Sequence, residues 1–207
     1  MNLRVRLFAA LYDRMAAASE QAGLADERRR LLAGARGRVL EVGAGTGLNL
    51  EHYPDGVEEL VLTEPEEPMR RRLEERVTQT GRPATVVAAP AERLPFRDAS
   101  FETVVATLVL CSVDDPAQAL RELRRVLRPG GSLLFLEHVR ADDPGLAGWQ
   151  DRLAKPWRFV ACGCRCNQPT VALVEAAPFR MEELERGELP KSPALTRPLA
   201  RGRAVAA

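Results

Sequence analysis

Three glycines at alternate positions, Gly43, Gly45 and Gly47, directly follow a short apolar segment. A glycine turn between a strand and a helix lets a nucleotide-like ligand approach the backbone closely. A phosphate-binding loop would continue from its last glycine with Lys and then Ser or Thr, but Leu48 follows Gly47. The dinucleotide fingerprint would place its third glycine at this same position. The spacing therefore favours a ligand that has a ribose and no phosphates.

A carboxylate follows at the end of the next predicted strand, where Glu64 lies 17 residues after Gly47. An ionised Glu has two acceptor oxygens, which match the two hydroxyls of a ribose. Taken alone, an acid at a strand end is as often a solvated side chain. Coupled to the glycine turn at this spacing, Glu64 predicts ribose binding.

The elements that must position these residues alternate between the two regular structures. Residues 3–32 and 116–127 have apolar residues at helical spacing, and 103–109 is nearly all apolar, as expected of a strand buried on both faces. Alternating strands and helices predict an α/β protein with a parallel sheet. The predicted strands are 39–42, 60–63, 84–88, 103–109, 132–137, 179–184 and 200–205, and further helices are predicted at 48–53 and 68–78.

The composition excludes several classes of function. The 207 residues fit one domain, and a net charge of only +1 gives no reason to expect nucleic acid as a partner. No stretch approaches the roughly 18 apolar residues of a membrane span, and the N-terminus does not read as a signal peptide. Four cysteines in such a chain are expected to be reduced thiols, so we expect a cytoplasmic protein.

Four motifs within residues 38–138 carry a family resemblance: EVGAGTG, TEP, AERLPFRDASFETVVATLVL and LRELRRVLRPGG. Their order and spacing resemble the class I S-adenosylmethionine-dependent methyltransferases. The resemblance implies a Rossmann-like three-layer sandwich with a seven-stranded, mostly parallel sheet and an antiparallel last strand. It also implies S-adenosyl-L-methionine as cofactor and S-adenosyl-L-homocysteine as product.

Further segments, LYDRM, GTGLNLEHYP, VVATLVLCSV, FLEHV and GCRCN, resemble the alkyl thiol methyltransferases and their bacterial relatives. The sequence departs from that branch by having no hydrophobic N-terminal anchor and by Gln168, where relatives have Arg. We expect a single methyltransferase domain. It would comprise a helical cap at 1–32, a cofactor-binding core at 38–138, an acceptor or lid segment at 139–177 and the last strands at 178–207.

The resemblance also assigns roles within the cofactor site. It places Glu41 near the methionine ammonium of the cofactor, and Thr107 and Leu108 beside the methyl group. Pro90 departs from the family, which has an acidic residue there. The implied cofactor-binding residues are Tyr12, Glu41, Gly43, Ala44, Gly45, Asn49, Glu64, Pro65, Met69, Ala91, Glu92, Thr107 and Leu108.

One histidine, His138, is a candidate catalytic residue because it ends the fifth predicted strand. It would act as a general base, form only the wall of the acceptor pocket, or do neither. A thiol acceptor needs no base, since its pKa of about 8.5 leaves some thiolate at neutral pH. An amine or phenol acceptor would more often need one.

Residues 139–170 are expected to bind the acceptor, because long irregular segments in compact domains are often lids. Trp149 and Trp157 lie on an amphipathic face that either packs on the domain or meets a membrane or lipophilic substrate. Pro156 is expected to cut any helix short. Cys164 and Asn167 match the family motif and complete the predicted substrate pocket. The three cysteines of CGCRC lack a fourth ligand nearby, so no metal is expected.

The leading hypothesis is methyl transfer to a small, lipophilic acceptor, with a thiol favoured. A phospholipid amine and a phenol or quinol are alternative acceptors. An alternative of another class is a cofactor-binding regulatory protein without catalysis. The glycine spacing disfavours a nicotinamide oxidoreductase, and the absence of an Asn-Pro-Pro-aromatic motif disfavours methylation of nucleic acid. Peripheral contact with a membrane stays open, but an integral segment is not expected.

Overall fold

The computed structural model of the protein describes residues 3–206, with side chains from residue 6 onward. Its seven strands form one sheet in the order β3-β2-β1-β4-β5-β7-β6. Strand β7 pairs antiparallel with both β5 and β6, whereas the pairs among β1 to β5 are parallel. The strands are β1 Gly37–Val42, β2 Val57–Thr63, β3 Thr85–Val87, β4 Phe101–Thr107, β5 Leu127–His138, β6 Phe179–Glu188 and β7 Pro198–Ala206.

Helices cover both faces of this sheet, because the apolar side chains of β1 point alternately to its two faces and both sets are buried. Leu40 and Val42 point into one apolar core with helix α4, and Val39 points into the other with α2. The predicted Rossmann-like sandwich with an antiparallel last strand is therefore confirmed. The helices are α1 Leu3–Ser19, α2 Ala25–Leu32, α3 Glu67–Thr80, α4 Pro116–Val126, α5 Pro144–Val160 and α6 Thr170–Ala176.

Helix α4 shows how the local sequence forms these elements. The Asp115 carboxylate accepts a hydrogen bond from the backbone N–H of Gln118, and Pro116 occupies the first helical turn, where its missing N–H costs nothing. Leu120 and Leu123 lie on the buried face, at helical spacing. The apolar stripe read from the sequence is therefore the stripe that packs on the sheet.

Two predicted helices differ in the structure. The predicted N-terminal helix is interrupted by a π-helical turn, Glu20–Leu24, where Gly23 has φ +134°. The predicted helix at 48–53 is only a 3-10 turn, Leu50–His52. Pro54 explains the second correction, because a proline disfavours helical backbone at the preceding residue and Tyr53 is extended.

The segment after β5 is more regular than expected. Helix α5 runs for 17 residues and contains Pro156, which does not end it. The helix is anchored by Gln150, whose Oε1 accepts from Ala141 N at 2.8 Å and whose Nε2 donates to Leu195 O at 2.9 Å. Trp149 is 56% exposed, so this part of the predicted apolar face does not pack on the domain, whereas Trp157 at the other end of the face is half-buried. The buried polar anchor holds α5 in place instead.

Candidate active site

One large cavity of about 1080 Å³ opens at the carboxyl ends of β1, β2, β4 and β5. Ligands of open α/β sheets bind at this edge, because the loops there diverge to either face of the sheet. Helix α1 and the turn after α5 close the cavity on its other sides. All thirteen predicted cofactor-binding residues line the cavity.

The glycine turn after β1 has a left-handed backbone that side chains would not tolerate. Gly43 has φ +57°, and a Cβ there would lie 2.7 Å from a methyl carbon of Val109. Gly47 has φ +85°, and a Cβ there would lie 2.8 Å from Leu73 Cδ1. The backbone of the turn is therefore packed between β4 and α3 and presents its edge to the cavity.

Glu64 is held against this turn at the end of β2. Its Oε2 accepts from Gly45 N and its Oε1 accepts from Glu66 N, both at 2.9 Å. Burial raises the pKa of Glu64, although these two backbone donors oppose the shift. Each carboxylate oxygen has a further lone pair, so both can still accept from a vicinal diol. The geometry fits the ribose of an adenosine cofactor.

Glu41 lies at the centre of a buried polar network below the turn. Its two oxygens accept from Asn49 Nδ2 at 2.9 Å and from the Tyr53 hydroxyl at 2.7 Å. Burial raises the pKa of Glu41 to about 7, and the bonds from Tyr53 and Asn49 oppose this rise. A buried carboxylate with a raised pKa favours a cationic ligand nearby, because a positive charge restores its ionised form.

Two residues of this network were missed by the sequence reasoning. Arg28 of α2 is buried, donates to Asn49 Oδ1 at 2.8 Å and forms an ion pair with Glu20 at 3.0 Å. It lines the cavity next to Asn49, one of the predicted cofactor-binding residues. Tyr53 was also missed, since it lies in a segment predicted to be an ordinary helix. For Arg28, the only signal in the local sequence is its position on the buried face of the amphipathic helix α2.

Helix α1 reaches the glycine turn through an acid that the sequence did not single out. Asp13 Oδ1 accepts from the Thr46 hydroxyl at 2.6 Å, and Asp13 Oδ2 accepts from Arg76 Nη2 at 2.7 Å. These contacts place the neighbouring Tyr12 at the cavity, and burial raises the pKa of its hydroxyl. The helix therefore covers the cofactor end of the cavity.

Four more of the predicted cofactor-binding residues lie on the same edge. Met69 and Ala91 are buried, and Pro65 lies beside them along the cavity wall. Glu92 lines the cavity too, and its carboxylate accepts from Asp114 N at 2.8 Å. Glu92 thus ties the β3–β4 connection to the loop after β4.

The loop after β4 is fixed by a second buried acid, Glu137. Its carboxylate accepts from the backbone N–H groups of Val109, Leu110 and Cys111 at 2.9, 2.9 and 3.2 Å. Burial raises the pKa of Glu137 to about 7 despite these three donors. The sequence reasoning passed over this residue in favour of its neighbour in the FLEHV segment.

Thr107 and Leu108, the residues predicted to border the methyl group, lie at the start of this loop. Leu108 has φ +58°, a conformation that non-glycine residues rarely adopt. Thr107 Oγ1 accepts from Asn49 Nδ2 at 2.9 Å, which links this loop to the network of Glu41. Strain of this kind persists where the surrounding structure holds it, and here Glu137 does so.

His138 faces the cavity from the end of β5. Burial lowers its pKa to about 4, although a hydrogen bond to the backbone of Thr196 opposes the shift. Its Nδ1 is buried and has no hydrogen-bond partner within residues 6–206. A neutral imidazole with an unpartnered nitrogen can hydrogen-bond a ligand, but it is a weak base.

The four predicted substrate residues separate into two pairs. Trp157 and Cys164 line the cavity. Trp149 instead lies on the exposed side of α5, where the Arg152 guanidinium stacks 5.6 Å from its ring centre. Asn167 donates to Asp151 Oδ1 at 3.1 Å and lies outside the cavity. Trp149 lies outside the cavity because it is on the face of helix α5 that is turned away from the sheet.

Neither a metal cluster nor a membrane helix is found in the described part of the chain. The described side chains contain no group of three or more His, Cys, Asp or Glu that could hold a metal ion. No helix among the described residues is long and apolar enough to cross a bilayer.

Sheet order, glycine turn and strand-end carboxylate are those of a Rossmann-like fold, and the site fits an adenosine cofactor. A family described as methyltransferase domain matches residues 40–135. With a relative that is 38% identical and is covered to 70% of its length, this match shows that the chain belongs to the class I S-adenosylmethionine-dependent methyltransferases. A methyltransferase of Thermotoga maritima shares the fold, with a TM-score of 0.73 at 22% identity, over 99% of this chain and 98% of that one.

Similar curated proteins include two human thiol S-methyltransferases. TMT1B is 40% identical over 75% of this chain and 66% of the relative, and TMT1A is 38% identical over 81% and 70%. Part of each relative therefore lies outside the match. A phosphatidylethanolamine N-methyltransferase of Cereibacter sphaeroides is 36% identical over 58% of this chain and 59% of the relative.

Proposed function

We propose that this enzyme methylates the thiol of a small, lipophilic acceptor. When bound, S-adenosylmethionine supplies a methyl group on a sulfonium, which an acceptor nucleophile displaces in line. The observation that carries the thiol assignment is the similarity to two thiol S-methyltransferases, at 40% and 38% identity, and it is supported by His138, which lines the cavity and whose pKa burial lowers to about 4. A thiol forms its own thiolate at neutral pH, so it suits a pocket whose imidazole is a poor base.

The cofactor is held by the polar groups below the acceptor end. Glu64 accepts from the ribose diol, the backbone of Gly43–Gly45 lies against the cofactor, and Glu41 faces its methionine ammonium. Asn49 and Arg28 bind the carboxylate of the cofactor, and Arg28 supplies the positive charge. Fixing both reactants in this way can supply on the order of 7–11 kcal/mol of the barrier.

The acceptor end of the cavity supports a lipophilic substrate. Trp157 lines its wall, and Phe159 and Met15 line its mouth while 68% and 54% exposed. Exposed apolar groups around a cavity mouth favour entry of an apolar molecule. A phospholipid amine is the second candidate, because a phosphatidylethanolamine methyltransferase is among the relatives. An acceptor dispersed in lipid would meet the same mouth.

An acceptor screen with labelled S-adenosylmethionine tests the assignment. Alkyl thiols, phosphatidylethanolamine vesicles and phenols or quinols would be compared at equal concentration, with methyl transfer followed by mass. We expect turnover with alkyl thiols, rising with chain length. Turnover only with the vesicles would favour the second candidate. Cofactor binding without turnover on any of these acceptors would contradict methyl transfer to thiols.

Cofactor affinity is expected to depend on pH through Glu41. Its pKa is about 7 in the free protein, and the cofactor ammonium favours the ionised carboxylate. Binding then releases a proton below pH 7, so affinity is full above that pH and falls as pH decreases, by up to about tenfold per unit. Calorimetry from pH 6 to 8 in buffers of different ionisation enthalpy measures both quantities. A flat affinity, or proton uptake, would contradict this role; Glu41→Gln should remove the proton release.

His138 is proposed to accept a hydrogen bond from the S–H of the entering, neutral thiol, and the proton of that thiol passes to water and not to His138. Replacing His138 by Gln keeps an acceptor oxygen, so turnover should fall less than about tenfold and the rate should still follow the ionisation of the substrate thiol. His138→Leu, which keeps the bulk but removes the acceptor atom, should lose more. A general base would give a loss of about 10²-fold or more in both variants and a changed pH profile.

A further inference from the structure

Two cysteine thiols face each other where the loop after β4 meets the turn that follows α5. The Sγ atoms of Cys111 and Cys164 lie 4.0 Å apart. Cys111 is buried, Cys164 is half-buried, and both line the cavity. A disulfide needs about 2 Å between its sulfurs, so the two thiols must approach each other by about 2 Å.

The backbone around the two thiols is already aligned. Arg165 N donates to Cys111 O at 2.7 Å, so the two segments run side by side. The Arg165 guanidinium also donates to Val113 O at 2.8 Å and to Asp114 O at 2.9 Å. These bonds keep Cys164 opposite Cys111.

The two thiols differ in acidity. The Cys111 thiol beside it lowers the pKa of Cys164. Sharing a proton with Cys164, together with burial, raises the pKa of Cys111. Two neighbouring thiols of unequal acidity, with sulfurs 4.0 Å apart, are the arrangement of redox-active cysteine pairs. By contrast, burial raises the pKa of Cys166 to about 11, so its thiolate is disfavoured.

We propose that Cys111 and Cys164 form a reversible disulfide that distorts the acceptor end of the cavity and stops methyl transfer; its effect on turnover rests on the proposed function. A peroxide is the oxidant. The Cys164 sulfur attacks one peroxide oxygen, the O–O bond breaks, and a sulfenic acid and hydroxide form. The Cys111 sulfur then attacks the sulfenic sulfur. The S–S bond forms, the S–O bond breaks, and the released hydroxide takes the Cys111 proton to leave as water.

The disulfide would lower activity because each cysteine lies in a segment that borders the acceptor end of the cavity. The backbone N–H of Cys111 is one of the three bound by Glu137, in the loop that begins with Leu108. Cys164 lies in the turn directly after the helix that carries Trp157. Drawing the sulfurs together pulls this loop and this turn toward each other. A displacement of this size next to reacting groups costs about tenfold or more in turnover.

Peptide mapping tests the bond directly. The whole protein is treated with hydrogen peroxide, alkylated with iodoacetamide and digested with trypsin without reductant. Cys111 then lies in the peptide 98–121, Cys164 in 159–165 and Cys166 in 166–180. We expect the first two peptides to be linked, with two hydrogens lost, and to separate on treatment with dithiothreitol.

Matched variants assign the link, because Cys162 shares a peptide with Cys164. The link should persist in Cys162→Ser and disappear in Cys164→Ser and in Cys111→Ser. Peroxide should lower turnover about tenfold in a dithiothreitol-reversible way, and Cys164→Ser should lose a much smaller fraction. Full alkylation of both thiols after peroxide, or a link made by Cys162, would overturn the proposal. Failure to methylate thiols would leave the mapping result intact.

Discussion

Replacing Glu64 by Ala should weaken S-adenosylmethionine binding about a hundredfold. The ribose hydroxyls would lose two charge-assisted hydrogen bonds to this carboxylate, each worth about 1.5 kcal/mol or more. A loss of about 1.4 kcal/mol lowers the affinity tenfold. The same change frees Gly45 N and Glu66 N, which Glu64 now binds at 2.9 Å. Isothermal calorimetry with S-adenosylmethionine and S-adenosylhomocysteine measures the loss, which should be similar for both because both carry the ribose.

Two further variants separate ribose binding from a general loss of structure. Glu64→Gln keeps one acceptor oxygen and should bind with intermediate affinity. Glu59→Ala removes a carboxylate from the amino-terminal half of the same strand, where it pairs only with Arg38 among the described residues, and should leave the affinity unchanged. Unchanged affinity in Glu64→Ala would remove the ribose role of this residue.

Replacing Glu137 by Ala should be the most destabilising single change at the site. It would leave three backbone N–H groups in the loop after β4 without their acceptor, of which those of Leu110 and Cys111 are buried. An unsatisfied buried donor costs about 1–3 kcal/mol, so the two buried donors together cost roughly 2–6 kcal/mol of an ordinary total of 5–15 kcal/mol. For a chain of this length that corresponds to a fall in Tm of roughly 4–24 °C.

The comparison with Gln distinguishes the hydrogen bonds from the volume of the side chain. In Glu137→Gln the remaining oxygen can still accept from Val109 N and Leu110 N, while Cys111 N faces an amide that cannot accept. Its Tm should therefore lie between those of the parent protein and the Ala variant. Glu188→Ala, an exposed acid on β6, serves as a control with no expected change. Equal Tm values for the parent and Glu137→Ala would show that the loop does not depend on this acid.

The fold and the cofactor edge were predictable because their signals are local. Period-two and apolar segments marked the strands, and the sheet with its antiparallel last strand followed from the family resemblance. The glycine spacing predicted a turn that approaches a ligand, and in the structure Gly45 of this turn is hydrogen-bonded to Glu64 at the edge of the cavity. Each of these signals depends on a few neighbouring residues or on one fixed spacing along the chain.

The supporting residues were not predictable, because their partners are distant in the sequence. Glu137 binds N–H groups 26 to 28 residues away, and Arg28 binds an oxygen 21 residues away. Nothing in the chain marks a carboxylate at the end of an apolar strand as a loop anchor. The FLEHV segment drew attention to His138, whereas the structure gives its neighbour Glu137 the larger number of hydrogen bonds.

By itself the sequence determined the class of the enzyme and the cofactor edge of its cavity, since glycine spacing and strand periodicity constrain the backbone locally. Only the tertiary structure decided the acceptor end. It turned Trp149 outward, left His138 neutral and set Cys164 against Cys111. These properties depend on burial and on contacts between remote segments. The acidity and orientation of these side chains result from packing, and packing depends on several distant segments of the chain together.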